Sequence, residues 1–300
     1  MKILDSENNF LALDEKYSSY ESSQIVILSA PYEHTVSYGG GTKNGPDAII
    51  EASGYVEFYD NETGKEICFE CGIATLEPIN FAKSIDVEAL DKIQNQVSKA
   101  IIDGKFVVTL GGEHTISSAP IKAHFDKYPN MSVLQFDAHS DLRDSYEGNI
   151  YSHACVIARV AEFLNPKKIT QVGIRAQCRE EADFIKQNDI NTFYAHQIRR
   201  GLSRGEKEAW QDSVVETLAD EIYVTFDVDY FDPSIMPSTG TPEPDGFFYH
   251  ETLEIFRKIK ASGKKIIGFD VVELAPQKNV AHPDILTASL IYKMLNYIFA

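Results

Sequence analysis

Three short apolar runs in this chain each end in carboxylates or an imidazole, and that pattern constrains the fold more than any other feature. Residues 131–136 read as a buried strand and run directly into Asp137-Ala138-His139-Ser140-Asp141. Residues 221–226 read the same way and run into Asp227-Val228-Asp229. Residues 105–110 run into Gly111-Gly112-Glu113-His114. Alternate residues of an extended chain point the same way, so Asp137, His139 and Asp141 are expected to project to one side. Two carboxylates and an imidazole converging there are costly to bury without a counter-charge. A divalent cation is the economical answer. A solvated acidic loop with a stray histidine would account for the first stretch alone, but not for the repetition.

The candidate ligands are therefore His114, Asp137, His139, Asp141, Asp227 and Asp229, more than one ion needs from protein. Carboxylates and imidazoles in this ratio suit a pair of hard or borderline divalent ions, with Mn²⁺ the natural candidate. Two such ions roughly 3.5–4 Å apart can share a water and activate it near neutral pH.

Further strands are predicted at residues 24–28, 66–73 (an edge strand), 168–174, 191–194 and 265–274. Helical spacing is predicted from Pro46 through Ala52 and over 86–102, 117–125, 152–163, 180–187, 206–218, 251–261 and 284–298. Alternating strands and helices imply a parallel sheet covered on both faces. Ligands in such sheets bind at the carboxyl ends of strands, where all the candidate ligands fall. Residues 1–23 read as a polar, acidic lead-in. No linker, repeat or low-complexity block divides residues 24–300, which read as one domain.

The charge balance, 28 basic against 45 acidic residues and a net charge of −17, argues against nucleic acid and anionic membranes. It fits a protein that attracts cations, metal or polyamine. Cys68 and Cys71 form a lone C-x-x-C without the second pair or histidines that a zinc site needs, and are expected to be structural. The opening residues lack a basic region and an apolar core, and no run approaches a membrane span. The cytoplasm is the expected location. The Gly-rich loop at 37–45 lacks a Gly-Lys-Ser/Thr ending and is not a phosphate cradle.

Gly111-Gly112-Glu113-His114, Asp137-Ala138-His139-Ser140-Asp141, Asp227-Val228-Asp229 and Gly268-Phe269-Asp270-Val271-Val272-Glu273 resemble, in order and wording, the motifs of the ureohydrolase (arginase–agmatinase) family. The resemblance runs from about Ser29 to the end of the chain and is nearest to the agmatinase branch. It implies the eight-stranded, mostly parallel, three-layer α/β/α arginase/deacetylase fold, assembled as trimers or hexamers. It also implies a binuclear Mn²⁺ enzyme that hydrolyses a guanidino compound to urea and an amine. By resemblance, His114, Asp137, Asp141 and Asp227 hold one ion, and Asp137, His139, Asp227 and Asp229 the other. His153 matches the general acid/base, an imidazole that titrates near neutrality. Glu273 matches the carboxylate that receives the guanidinium through two parallel hydrogen bonds. Thr241, in Thr239-Gly240-Thr241-Pro242, is expected to shape the pocket.

Agmatine, giving putrescine, is the expected substrate. Arginase-like members read an α-carboxylate with an Asn in the loop after Asp141. Here that loop is Leu142-Arg143-Asp144-Ser145-Tyr146-Glu147-Gly148, whose Asp144 and Glu147 favour a cationic tail, whereas Arg143 could receive a carboxylate. Arginine, aminopropylagmatine and guanidinobutyrate are the alternatives. A metal-dependent deacetylase would need a His-His pair that is missing here. A non-catalytic metal or polyamine binder would have no use for His153 and Glu273.

Overall fold

Strands this rich in apolar side chains must be covered on both faces, and the chain solves this with one parallel sheet between helical layers. The computed structural model describes residues 1–203 and 209–300. Its strands are β1 (Ile25–Ala30), β2 (Ile73–Thr75), β3 (Phe106–Gly111), β4 (Ser132–Phe136), β5 (Ile169–Ile174), β6 (Asn191–Tyr194), β7 (Glu221–Asp227) and β8 (Lys265–Val272). Its helices are α1 (Glu15–Ser18), α2 (Gly45–Ser53), α3 (Ile67–Cys71), α4 (Asp86–Ile102), α5 (Ser118–Lys127), α6 (Val156–Ala161), α7 (Arg179–Asn188), α8 (Ala195–Ser203), α9 (Trp210–Thr217), α10 (Tyr249–Ser262) and α11 (His282–Phe299).

The eight strands form one sheet in the order β2-β1-β3-β8-β7-β4-β5-β6. Every pairing between neighbours is parallel. Successive side chains alternate between the two faces, so Ile222, Val224 and Phe226 of β7 enter one core while Tyr223 enters another. The first core holds the stacked rings of Phe136 and Phe226, 5.0 Å apart, and the face of α10 through Phe256. On this side α11 packs on α2 and α10, and α10 on α9; across the sheet α4 packs on α5 and α5 on α6. No helix among the described residues is long and apolar enough to cross a membrane.

The register decides where the acidic residues go. Phe136 of β4 pairs with Phe226 of β7, and Asp227 of β7 pairs with Val272 of β8. Asp137, Asp227 and Glu273 therefore leave the sheet at nearly one level, on adjacent central strands. His114 joins them from the turn after β3, which lies beside β8.

The structure departs from the sequence reading in three places. The predicted edge strand at 66–73 is mostly helix α3, followed by the three-residue β2. Ile67, Cys68 and Cys71 bury one face of α3 while Phe69 packs edge-on against Phe58, and Gly72 at φ 66° turns the chain into β2. A short edge strand also limits unwanted pairing. Burial pushes both thiols up, which opposes a reactive pair. Residues 1–23, read as a polar lead-in, carry Phe10, Leu11 and Leu13 at 0–1% exposure. Phe10 N–H bonds the Thr75 hydroxyl at 2.9 Å, so this segment covers the β2 edge. Helix α8 was not expected. The predicted helix at 206–218 is seen as α9; its residues 206–208 lie outside the described residues. Trp210 of α9 packs on Phe247.

Backbone contact behind the central strands is tight. A Cβ added at Gly112 would lie 2.0 Å from the Tyr32 carbonyl oxygen, a backbone atom. The Gly112 carbonyl also accepts the Glu273 N–H at 2.8 Å. We expect Gly112→Ala to cost about 3 kcal/mol through overpacking, and to lower the melting temperature by roughly 5 °C. A thermal melt that matches the wild type would contradict this packing.

Candidate metal centre

His114 is fixed before any ligand arrives. Its Nε2 lies 2.9 Å from the Thr225 hydroxyl, and that hydroxyl donates to Asp270 Oδ1 at 2.7 Å. Asp270 is fully buried and also accepts from the hydroxyls of Ser117 and Tyr223, each at 2.8 Å. A hydroxyl whose only proton goes to a carboxylate must accept from the imidazole. Nε2 therefore carries the hydrogen, and Nδ1 keeps its lone pair. That Nδ1 has no hydrogen-bond partner. It faces Asp137 Oδ2 at 3.1 Å, Asp141 Oδ2 at 3.0 Å and Asp227 Oδ2 at 3.3 Å.

A second cluster adjoins the first. His139 Nδ1 lies 2.8 Å from Asp229 Oδ2 and 3.7 Å from Asp137 Oδ1. Two groups of side chains could each hold a metal ion: His114, Asp137 and Asp227, and Asp137, His139 and Asp229. Asp137 belongs to both. It is held by the Gln135 amide, which donates to Oδ2 at 2.7 Å, and Gln135 in turn accepts from Gln171 at 2.7 Å. Asp229 accepts the Ala138 N–H at 3.0 Å, and its own N–H bonds Asp227 Oδ1 at 2.8 Å. Asp141 reaches the cluster through a left-handed turn (φ 54°), not through the strand alternation expected from the sequence.

Without a counter-charge these carboxylates cannot all ionise. Burial, then the charges of Asp229 and Asp137, pushes Asp227 well above the usual carboxylate range. Burial and Asp137 push Asp141 up in the same way. Burial also raises Asp137; only protonated His114 and His139 beside it hold it below the usual range, and a cation bound at the imidazole lone pairs takes over that role. A divalent cation resolves all three conditions at once: the donor set is oxygen and imidazole, the acids repel one another, and an imidazole lone pair has no other partner. The residues present fit a pair of such ions.

The clusters open into a cavity of about 160 Å³ lined by Ser37, His114, His139, Asp141, Arg143, Tyr146, His153, Ala154, Asp227, Asp229, Thr241 and Glu273. Larger cavities of about 490 and 740 Å³ lie elsewhere, one beside Lys264 and Lys265 at the start of β8, the other against the N-terminal segment. Neither gathers an imidazole or a ligand cluster. Glu273 sits at φ 67° just after β8, 7% exposed, with Oε1 accepting the His114 N–H at 2.6 Å. Burial and the nearby Glu113 push its carboxyl well above the usual range. Thr241 is brought in by the bridge between Thr239 and Leu274. Burial, the largest cause, pushes His153 down to about 4.

Asp144 and Glu147, the two acids expected to meet a cationic tail, are both exposed and neither lines the cavity. The Asp144 side chain is 99% exposed and 3.3 Å from Arg159. The turn after Asp141 carries both outward, so their expected contact with substrate has no geometric basis. Arg143 does line the cavity. Its guanidinium lies over the Tyr146 ring at 5.0 Å and near Glu181 at 4.0 Å. Sequence reasoning passed over Thr225, Gln135, Gln171 and Glu113. Their signal was a polar residue inside an otherwise apolar strand, or within a ligand motif.

A parallel α/β sheet with paired ligand groups at its central carboxyl ends defines a metal-site architecture, and the comparisons give it a family. The Arginase family model matches residues 23–296, and the chain belongs to the arginase family. It is 37% identical to an N(1)-aminopropylagmatine ureohydrolase of Synechocystis sp., over 94% of this chain and 92% of that one. It is 32% identical to an agmatinase of Bacillus subtilis, over 94% and 97%. The crystal structure of the agmatine ureohydrolase of Thermoplasma volcanium superposes with a TM-score of 0.83 at 29% identity, covering 99% of this chain and 94% of that one. The chain is a hydrolase of this family.

Removing the ligand shared by both groups has a distinct consequence. We expect Asp137→Asn to lose nearly all bound metal, and Asp229→Ala to keep part of it. Metal at a hundred times its Kd stabilises the native state by about 2.7 kcal/mol, so wild-type melting should rise on adding Mn²⁺ and fall with chelator. Metal analysis and melting curves check both points. Full metal content in Asp137→Asn would contradict the assignment.

Proposed function

We propose that this protein hydrolyses a guanidino compound to urea and an amine, with agmatine, giving putrescine, as its preferred substrate. The observation that carries the reading is Glu273 standing in the same cavity as both metal-ligand groups, on an arginase-family fold. In this reading residues 24–300 form the catalytic domain and residues 1–23 its N-terminal extension. His114, Asp137, Asp141 and Asp227 hold one Mn²⁺, and Asp137, His139, Asp227 and Asp229 the other. When bound, the pair supplies Lewis-acid polarisation and an activated water.

The protein's own groups do the rest. Glu273 receives two guanidinium N–H groups in parallel, and this fixes the carbon over the cluster. Its Oε1 already accepts from His114, which anchors the carboxylate. His153, a neutral imidazole at pH 7 by its depressed pKa, takes a proton before giving one to the departing amine nitrogen. Thr241 and Ser37 close the cavity beside them. Arg143 at the wall is engaged by Tyr146 and Glu181, which reduces its use for an α-carboxylate. Glu243, 4.0 Å from His139 Nε2, adds a carboxylate near the site.

A second reading, an aminopropyl-extended agmatine as substrate, is favoured by the Synechocystis relative named for that activity. The acidic composition and the family resemblance support a cytoplasmic homo-oligomer, a trimer or hexamer, without nucleic-acid or membrane partners.

Urea release from agmatine, aminopropylagmatine, guanidinobutyrate and arginine at equal concentration tests the substrate. The expected order has a decarboxylated guanidino-amine first, by roughly 10²-fold over arginine in kcat/KM. A higher value for arginine or guanidinobutyrate would overturn it. Glu273→Gln should keep both metals and lose activity by about 10³-fold; wild-type turnover there would remove Glu273 from the site.

A further inference from the structure

Glu113 is buried at 0% exposure inside the Gly-Gly-Glu-His motif, yet it faces neither ligand cluster. It faces the loop after β1. Its Oε2 accepts the His34 N–H at 2.7 Å and the Thr35 N–H at 2.6 Å, and its Oε1 accepts the Thr35 hydroxyl at 2.9 Å. The Thr35 hydroxyl then meets His153 twice. It accepts the His153 backbone N–H at 3.0 Å and lies 3.3 Å from His153 Nδ1.

Burial raises the Glu113 carboxyl while the donors around it favour its ionised form, and with that form the bond directions point to one proton position. Backbone N–H groups only donate, so Glu113 is an acceptor surrounded by donors. The single hydroxyl proton of Thr35 points to Glu113, and its lone pairs point to His153. A hydrogen bond between Nδ1 and Thr35 then requires the hydrogen on Nδ1, which leaves Nε2 as the unprotonated ring nitrogen. The same logic fixes His114 through Thr225 and Asp270, with the opposite ring nitrogen protonated. The neighbouring Ser152 hydroxyl, 3.4 Å from Nδ1, can also accept from it. Thr115, two residues after Glu113, donates to the Tyr151 carbonyl at 2.8 Å. Residues 113–115 thus hold the stretch leading to His153 at two points.

We propose that Glu113 and Thr35 are positioning residues that set the tautomer and orientation of His153. The value of this for turnover rests on the reading of His153 as the proton-transfer group; the tautomer itself does not.

The test uses the full chain loaded with a diamagnetic divalent ion (Zn²⁺ or Mg²⁺) for long-range ¹H–¹⁵N spectra, and with Mn²⁺ for kinetics. Wild type is expected to show His153 protonated at Nδ1. Thr35→Val should mix the tautomers and lower kcat roughly 10- to 100-fold, with KM within about twofold and metal content unchanged. Thr35→Ser should restore kcat to within about threefold. Wild-type protonation at Nε2, or a Thr35→Val enzyme with unchanged kcat and tautomer, would overturn the proposal. If Thr35→Val fails to fold, the wild-type spectrum and Thr35→Ser still decide it. A His153→Ala enzyme with full activity would fail the functional reading alone, leaving the tautomer assignment standing.

Discussion

The structure depends on a repulsion. Asp137, Asp141, Asp227 and Asp229 are each 6% exposed or less, and they converge from strands that the register holds side by side. Buried like charges raise one another's pKa and destabilise the fold unless a cation is supplied. Among the described residues, none of these carboxylates forms an ion pair with Arg or Lys. The surrounding chain meets them with imidazoles and backbone N–H groups and keeps one imidazole lone pair without a partner. A protein built this way stores a demand for metal in its folded state.

Everything around the cluster serves its precision. The four strands that feed it, β3, β8, β7 and β4, are consecutive in the sheet, buried on both faces, with aromatic packing beneath. Above them, buried polar residues reach the site residues in short chains: Asp270 through Thr225 to His114, Gln171 through Gln135 to Asp137. Each link is saturated, so each ligand has one orientation. Rigid strands carry the charges, while the loops at 37–41 and 239–241 touch each other and close the opening, Gly39 N–H to the Gly240 carbonyl at 3.1 Å.

Much of this was legible in the sequence because acidic residues at the end of an apolar run have few structural explanations. The ligand candidates, His153, Glu273 and Thr241 all reach one cavity or its cluster. What escaped was tertiary. Thr225 looks like an ordinary strand residue until β7 and β8 pair and place it opposite Asp270. Residues 67–71 carry apolar side chains that suit a strand or a helix, and packing against α11 chose the helix. Asp144 follows the motif closely in sequence, but a positive φ at Asp141 redirects the chain and leaves it in solvent. Phe10, Leu11 and Leu13 are few among polar neighbours, so composition hid an anchored segment.

The central claim is that the acidic cluster takes two ions sharing Asp137. Electron paramagnetic resonance during Mn²⁺ titration of the metal-free chain tests it most directly. Two ions per chain with a spin-coupled signal, as expected for centres roughly 3.5–4 Å apart, is the anticipated result. Saturation at one ion, or two ions with the spectrum of isolated Mn²⁺, would contradict it.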